Sequence, residues 1–103
     1  MIMRMKRFLH ITIVDPFVLP QHQTAIERVM DSAGDWLRYG PNCWIVYSAH
    51  PPVTWANRLN TIRGLASKHG FLVTEMGVYA GMLDQKVWDW MARPRSNIDI
   101  ETE

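Results

Sequence analysis

Three features that commonly assign a chain to a functional class are scarce in this sequence: cysteine, net charge and long apolar runs. Cys43 is its one cysteine, which excludes a disulfide within the chain. Eleven basic and ten acidic residues give a formal net charge of +1, which argues against tight, sequence-independent binding to nucleic acid. No segment reaches the roughly 18 consecutive apolar residues of a membrane-spanning helix.

The N-terminal segment lacks the pattern of an export signal. Basic residues occur early, but the apolar stretch that follows, residues 8–14, is interrupted by His10 and Thr12 and ends at Asp15. Together with the single cysteine, this pattern predicts a cytoplasmic protein in a reducing compartment, with no association with a membrane.

Large apolar side chains, by contrast, are plentiful. Hydrophobic residues make up 48% of the 103 positions and include five tryptophans, a composition typical of an ordered globule. The length fits a single domain over residues 1–103, ordered over about residues 7–93 and followed by a polar, acidic tail at 94–103. A domain of this size buries only about two-thirds of its unfolded surface, so a partner would stabilise it.

The first third of the chain has the pattern of a strand followed by a helix. In residues 8–14, aliphatic side chains occupy alternate positions, which predicts a strand with its aliphatic side on the core. From residue 20 to residue 33, apolar side chains recur every three or four positions, which predicts an amphipathic helix that ends at Gly34. The mixed side of the strand carries Phe8, His10, Thr12 and Val14.

The middle of the chain predicts a hairpin and a second helix. Residues 35–39 and 43–49 have the composition of two strands, and the residues Gly40-Pro41-Asn42 between them are typical of a turn. An amphipathic pattern then predicts a helix near residues 55–68 that begins at Val53 or Thr54.

The remaining elements complete an α+β domain. A fourth strand is predicted at residues 71–76, and a short helix at residues 85–92 with Asp84 as its cap. This order predicts a ferredoxin-like βαββαβ fold, in which a four-stranded antiparallel sheet has two helices on one face, plus the short C-terminal helix. The second face of the sheet would be bare unless something covers it, and we expect a homodimer interface there. The residues predicted for that interface are Phe8, His10 and Val14.

The run of residues 35–46, DWLRYGPNCWIV, resembles the aromatic two-strand signature of SinR-like proteins. That signature places a Trp, a short aromatic strand, a turn, and a strand of the form small residue, Trp, aliphatic, aliphatic in series. The later run Trp88-Asp89-Trp90-Met91 resembles the family's closing Asp-Trp-aliphatic pattern, so that the resemblance spans about residues 8–92. SinR-like proteins are small members of the superfamily that contains the second CRISPR adaptation protein and the VapD-type toxins.

The resemblance implies a homodimer in a nucleic-acid-linked setting such as host defence or a toxin–antitoxin pair. It also implies a metal-associated aspartate at the end of the first strand, which is Asp15 in this chain. As a catalytic residue and metal ligand, Asp15 from both subunits would hold Mg²⁺ or Mn²⁺ at the dimer axis and activate water against a phosphodiester. The alternative is a strand-end aspartate that makes an Asx-type turn before Pro16.

Other polar residues give weaker signals. Arg4, Lys6 and Arg7 would contact nucleic-acid phosphate, or else form an ordinary solvated surface. The four histidines show neither the i, i+4 spacing nor the short-loop spacing of a zinc site. His10 lies on the mixed side of the first strand, where it would act as a base or pack in an interface.

Two functional interpretations remain. The first is a non-catalytic, homodimeric interaction or regulatory protein that needs no cofactor and whose partner is a protein or a nucleic acid. The second is a metal-dependent endonuclease for RNA or DNA that uses Asp15. The low net charge favours the first, as do the two neighbours of Asp15. SinR-like and CRISPR-type proteins commonly have an aromatic residue where this chain has Val14, and Pro16 stiffens the site. Asp15 alone favours the second.

Overall fold

The computed structural model of the chain describes residues 5–14 and 20–95. Within these ranges the side chains at positions 20, 21 and 68 are not described, and Arg4 and Asp15 lie outside them. The strands are β1 (Arg7–Ile13), β2 (Trp36–Gly40), β3 (Cys43–Ser48) and β4 (Phe71–Glu75). The helices are α1 (Pro20–Met30), α2 (Pro52–Asn60), α3 (Leu65–Lys68) and α4 (Gln85–Ala92), with a 3₁₀ turn at Asp31–Ala33.

The four strands form one antiparallel sheet in the order β2-β3-β1-β4. In the centre of the sheet, Ile11 of β1 lies opposite Trp44 of β3 on one side and opposite Val73 of β4 on the other. The predicted α+β class and four-stranded antiparallel sheet are therefore confirmed.

One face of the sheet, which we call the helical face, is covered by α1, α2 and α3. The aliphatic side of β1 points to this face, as its alternating pattern predicts, and Leu9, Ile11 and Ile13 are buried there. Trp44 of β3 and Trp55 of α2 are fully buried in the same cluster. The principal core lies between the sheet and these helices, because the large apolar side chains on both sides meet there.

The opposite face, which we call the second face, is partly covered by α4. Val87 and Met91 of α4 pack on Ile45 of β3, and Phe8 of β1 contacts Trp90 with ring centroids 5.7 Å apart. The helix α4 thus covers part of the face that is expected from the sequence to be bare. The β4 side of this face stays open, since Leu72 there is 59% exposed.

Two helix boundaries differ from their predicted positions. The helix predicted near residues 55–68 is two helices, because the chain turns between them and Gly64 adopts a left-handed φ of +83°. The first of the two begins at Pro52 instead of Val53 or Thr54, since proline suits the first turn of a helix, where no N–H partner is required.

Two predicted helix caps are confirmed. The Asp84 carboxylate accepts a hydrogen bond from the Lys86 N–H at 3.0 Å and so caps α4. Gly34 ends the first helical segment in a left-handed conformation with φ of +80°. None of the helices in the described ranges combines the length and apolarity needed to cross a membrane.

Candidate functional site

The basic residues near the N-terminus are placed only in part. The Arg7 guanidinium lies 2.7 Å from the Glu75 carboxylate, so this side chain pairs β1 with β4 at the surface. Lys6 is half-buried. Arg4 and Asp15 lie outside the described residues, and the roles predicted for all four side chains stay predictions.

The three residues predicted for a dimer interface occupy different environments. Phe8 is half-buried between Tyr47 and Trp90, with ring centroids 5.0 and 5.7 Å away. His10 is also half-buried, whereas Val14 is 67% exposed beyond the end of β1. Val14 is thus the most accessible of the three, because residues of the same chain already cover much of the other two.

A polar cluster lies on the second face, and we call it the Tyr39 cluster. The Tyr39 hydroxyl contacts Nε2 of His10, and Oγ1 of Thr12 lies 3.1 Å from the other ring nitrogen, Nδ1. The Cys43 thiol is hydrogen-bonded to Tyr39, and Cys43 lies opposite Thr12 in the β1–β3 pair. Strand register brings these residues together, since they come from three neighbouring strands.

Burial favours the uncharged forms of Tyr39 and His10. The pKa of Tyr39 is raised to about 12, chiefly by partial burial. The charge and the hydrogen bond of Cys43 contribute to this rise as well. Burial lowers the pKa of His10 below its ordinary value. A neutral imidazole satisfies both of its contacts in either tautomer, by accepting from one hydroxyl and donating to the other. Tyr39 and His10 therefore form a neutral hydrogen-bonded pair at neutral pH.

A groove of about 240 Å³ lies next to the Tyr39 cluster, between β2 and the beginning of α4. Its volume is below the roughly 300–1,000 Å³ of most small-molecule sites, so it suits a single side chain better than a cofactor. The residues that line it are Leu37, Arg38, Tyr39, Asp84, Lys86 and Val87.

An ion-paired clamp fixes the end of α4 to the sheet. The Asp35 carboxylate accepts hydrogen bonds from Trp90 Nε1 at 3.1 Å and from Arg95 Nε at 2.5 Å. The Arg95 guanidinium also lies over the rings of Phe8, Tyr47 and Trp90, at 4.7–5.4 Å from their centroids. Arg93 also pairs with Asp35, at 3.2 Å, so that two guanidinium groups share this carboxylate and hold α4 on the second face.

The backbone of β4 presents an open edge. At the two ends of the β1–β4 pair, the amides of Val14 and Met76 donate to carbonyls of the opposite strand at 3.0 and 2.9 Å. Because inward and outward groups alternate along an antiparallel strand, Leu72 and Thr74 bond toward β1. The residues whose N–H and C=O groups point away from the sheet are Phe71, Val73 and Glu75. We call this side of the strand the β4 edge, and no described strand pairs with it.

The segment after β4 exposes several large apolar side chains, and we call it the 78–83 loop. Val78 and Met82 are almost fully exposed, and Leu83 is 38% exposed. Tyr79 is 48% exposed and stacks on Trp88 of α4, with the ring planes 6° apart. An exposed apolar group of this size, in the segment that follows β4, is typical of an interaction surface.

One contact between two polar residues is not predicted by their spacing in the sequence. His22 of α1 and His69 at the end of α3 lie in contact, with 3.0 Å between Nδ1 of the first and Nε2 of the second. Forty-seven residues separate them, so no local motif signals the pair. Among the described residues, no group of three or more His, Cys, Asp or Glu side chains is arranged to hold a metal ion.

No family model, no curated protein and no solved structure matches the chain.

Proposed function

We propose that this chain is a ferredoxin-like interaction protein that forms homodimers through the β4 edge and has no catalytic activity of its own. The resemblance to SinR-like proteins suggests that the dimer acts in a nucleic-acid-linked setting, such as host defence or a toxin–antitoxin pair. The observation that carries the proposal is the β4 edge, whose backbone groups point away from the sheet beside exposed apolar side chains.

The order of the elements supports the ferredoxin-like assignment. α1 connects β1 to β2, and α2 with α3 connects β3 to β4. Because every neighbouring pair of strands is antiparallel, each of these connections joins two strands that run in the same direction with one strand between them. Two such interleaved βαβ units are the defining arrangement of a split βαβ fold.

The two edges of the sheet differ in how well they are protected. β2 has an irregular register between Arg38 and Gly40, and Pro41 follows it, and such features discourage pairing with another chain. β4 has a regular ladder over residues 71–75 and contains neither lysine nor proline. Its one charged side chain, Glu75, is paired with Arg7 of the same chain. The β4 edge is therefore the one better suited to pairing.

A second copy of the chain fits this edge without conflict. If two β4 strands pair about a twofold axis at Val73, the outward groups of each Val73 meet those of the other. Phe71 then lies opposite Glu75 of the partner subunit, so that the two Glu75 carboxylates are not opposed. On the second face, Leu72 lies opposite Thr74 of the partner subunit, which reduces the exposure of an apolar side chain.

Apolar surface near the edge adds to the contact. The 78–83 loop leaves β4 at its Glu75 end, which in this pairing faces the Phe71 end of the partner strand. Val14, whose side chain is 67% exposed, lies beside Gly70 at that Phe71 end. A strand pair alone is small beside the roughly 800 Å² per partner of a stable interface, so these side chains supply needed area.

The oligomeric state of variants at Glu75 tests the proposal. Glu75→Pro removes an outward-facing N–H from the β4 edge but leaves the bonds toward β1 intact. Glu75→Ala is the matched control, because it removes the same carboxylate and its pairing with Arg7 but keeps the N–H.

Light scattering coupled to size-exclusion chromatography is expected to show dimers for the wild type and Glu75→Ala, and monomers for Glu75→Pro. Circular dichroism checks that all three are folded. A monomeric wild type, or a folded Glu75→Pro variant that dimerises as tightly as Glu75→Ala, would contradict the proposal.

A further inference from the structure

His22 and His69 are held in contact by elements that are far apart in the sequence. His22 lies on the first turns of α1, and His69 ends α3, where its backbone N–H donates to the Leu65 carbonyl at 2.9 Å. Gly70 follows in a left-handed conformation with φ of +70° and directs the chain into β4. The backbone positions of both imidazoles are thus fixed by secondary structure.

The rings meet with their nitrogen atoms toward each other. Nδ1 of His22 and Nε2 of His69 are 3.0 Å apart, the ring centroids are 4.9 Å apart, and the ring planes are inclined by 81°. Both side chains are half-buried, so this pair is reachable from solvent and yet partly shielded from it.

We propose that His22 and His69 form a binding site for a borderline divalent transition-metal ion such as Zn²⁺, Ni²⁺ or Cu²⁺. The ion takes the place of the N–H···N contact and is bound by Nδ1 of His22 and Nε2 of His69. The proton on the donating nitrogen moves to the other nitrogen of that ring, so that both rings stay neutral and no proton is lost. Water fills the remaining coordination positions.

The separation of the two nitrogens suits such an ion. With metal–nitrogen bonds of about 2.0–2.1 Å, two nitrogens 3.0 Å apart subtend an angle of roughly 90° at the metal. That angle corresponds to neighbouring positions in square-planar or octahedral coordination, and a slight opening of the pair gives a tetrahedral angle. Binding requires the rings to turn toward a common point.

The ligand type decides which metals bind. Imidazole nitrogen suits copper, nickel and zinc, and in the usual order of affinities Cu²⁺ exceeds the other two. Mg²⁺ and Ca²⁺ prefer oxygen ligands and are expected to bind here poorly or not at all. This selectivity separates the site from the Mg²⁺ or Mn²⁺ site predicted for Asp15.

Titration calorimetry of the untagged protein with ZnCl₂, NiCl₂, CuCl₂ and MgCl₂ tests the proposal. The wild type is expected to bind one transition-metal ion per chain and to ignore Mg²⁺. His22→Gln and His69→Gln are each expected to bind about tenfold more weakly or worse, because one imidazole–metal bond is lost. His10→Gln is the matched control, since it removes a histidine outside the pair and should bind like the wild type.

A spectroscopic readout locates the ion independently of affinity. Substoichiometric Cu²⁺ or Ni²⁺ is expected to broaden the imidazole proton NMR signals of His22 and His69 before those of His10 and His50. Broadening of His10 or His50 first would overturn the proposal, as would no transition-metal binding at all, or equal binding by the wild type and His22→Gln. The Glu75→Pro variant retains the pair and is expected to bind normally, so the test is independent of dimerisation.

Discussion

The Tyr39 hydroxyl and Nε2 of His10 are in hydrogen-bond contact on the second face of the sheet, although 29 residues separate them in the chain. The contact exists because β1 and β2 both flank β3, which brings side chains on the same face within reach. Both side chains are partly buried, and burial favours their uncharged forms by lowering the pKa of His10 and raising that of Tyr39.

The partial burial of Tyr39 predicts a loss of stability at alkaline pH. The folded pKa of Tyr39 is about 12 and its unfolded value is 10, so the unfolded chain loses this proton first as the pH rises. The stability contributed by the neutral phenol is complete below pH 10 and declines between pH 10 and 12. Melting temperatures of the wild type and Tyr39→Phe, measured at several pH values, are expected to show a wild-type advantage that shrinks in this window. A difference that stays constant to pH 12 would contradict the assignment.

Truncation of Trp44 is expected to lower the free energy of unfolding by a large amount. Its ring is fully buried on the helical face, so Trp44→Ala removes a large apolar side chain and leaves a cavity. We expect the free energy of unfolding to fall by about 3–5 kcal/mol in urea titrations followed by circular dichroism. Tyr79→Ala is the control, because that ring is 48% exposed, and its cost should be much smaller. An unchanged unfolding midpoint for Trp44→Ala would refute its place in the core.

The sequence predicts the main elements because the strands and helices have distinct apolar periods. Leu9, Ile11 and Ile13 alternate along β1, and this pattern alone determines which side of the strand is buried. The apolar pattern does not predict the break before α3, because Gly64 lies inside a continuous apolar repeat that does not signal its left-handed backbone. The docking of α4 depends on the Asp35–Arg95 contact, which joins residues 60 positions apart.

The sequence predicts the candidate sites less completely than it predicts the fold. Local motifs can suggest a residue such as Asp15, but the pairing of His22 with His69 depends on how α1 and α3 are placed around the sheet. The Tyr39 cluster depends in the same way on strand register, since its members come from β1, β2 and β3. Spacing along the chain therefore predicts few of these contacts, because tertiary structure creates them.

Replacement of Ser48 is expected to lower the free energy of unfolding because hydrogen bonds are lost, not because a cavity is formed. Its buried hydroxyl oxygen accepts from Trp55 Nε1 at 2.9 Å and from the backbone N–H of His50 at 3.0 Å. Ser48→Ala removes the acceptor for both donors, and we expect stability to fall by about 1–3 kcal/mol. Trp55→Phe removes one of the donors and completes a double-mutant cycle by urea unfolding. Strictly additive effects of the two changes would show that the Ser48–Trp55 bond contributes nothing.

Asp15 provides the test that separates an interaction protein from a nuclease. If the chain has no catalytic activity of its own, then Asp15→Ala should not change the cleavage of single- or double-stranded DNA or RNA in the presence of Mg²⁺ or Mn²⁺. Both proteins are expected to give only background cleavage, since a chain without catalytic activity has no metal-dependent cleavage for Asp15→Ala to remove. Cleavage by the wild type that is lost in a folded Asp15→Ala variant would refute the non-catalytic proposal.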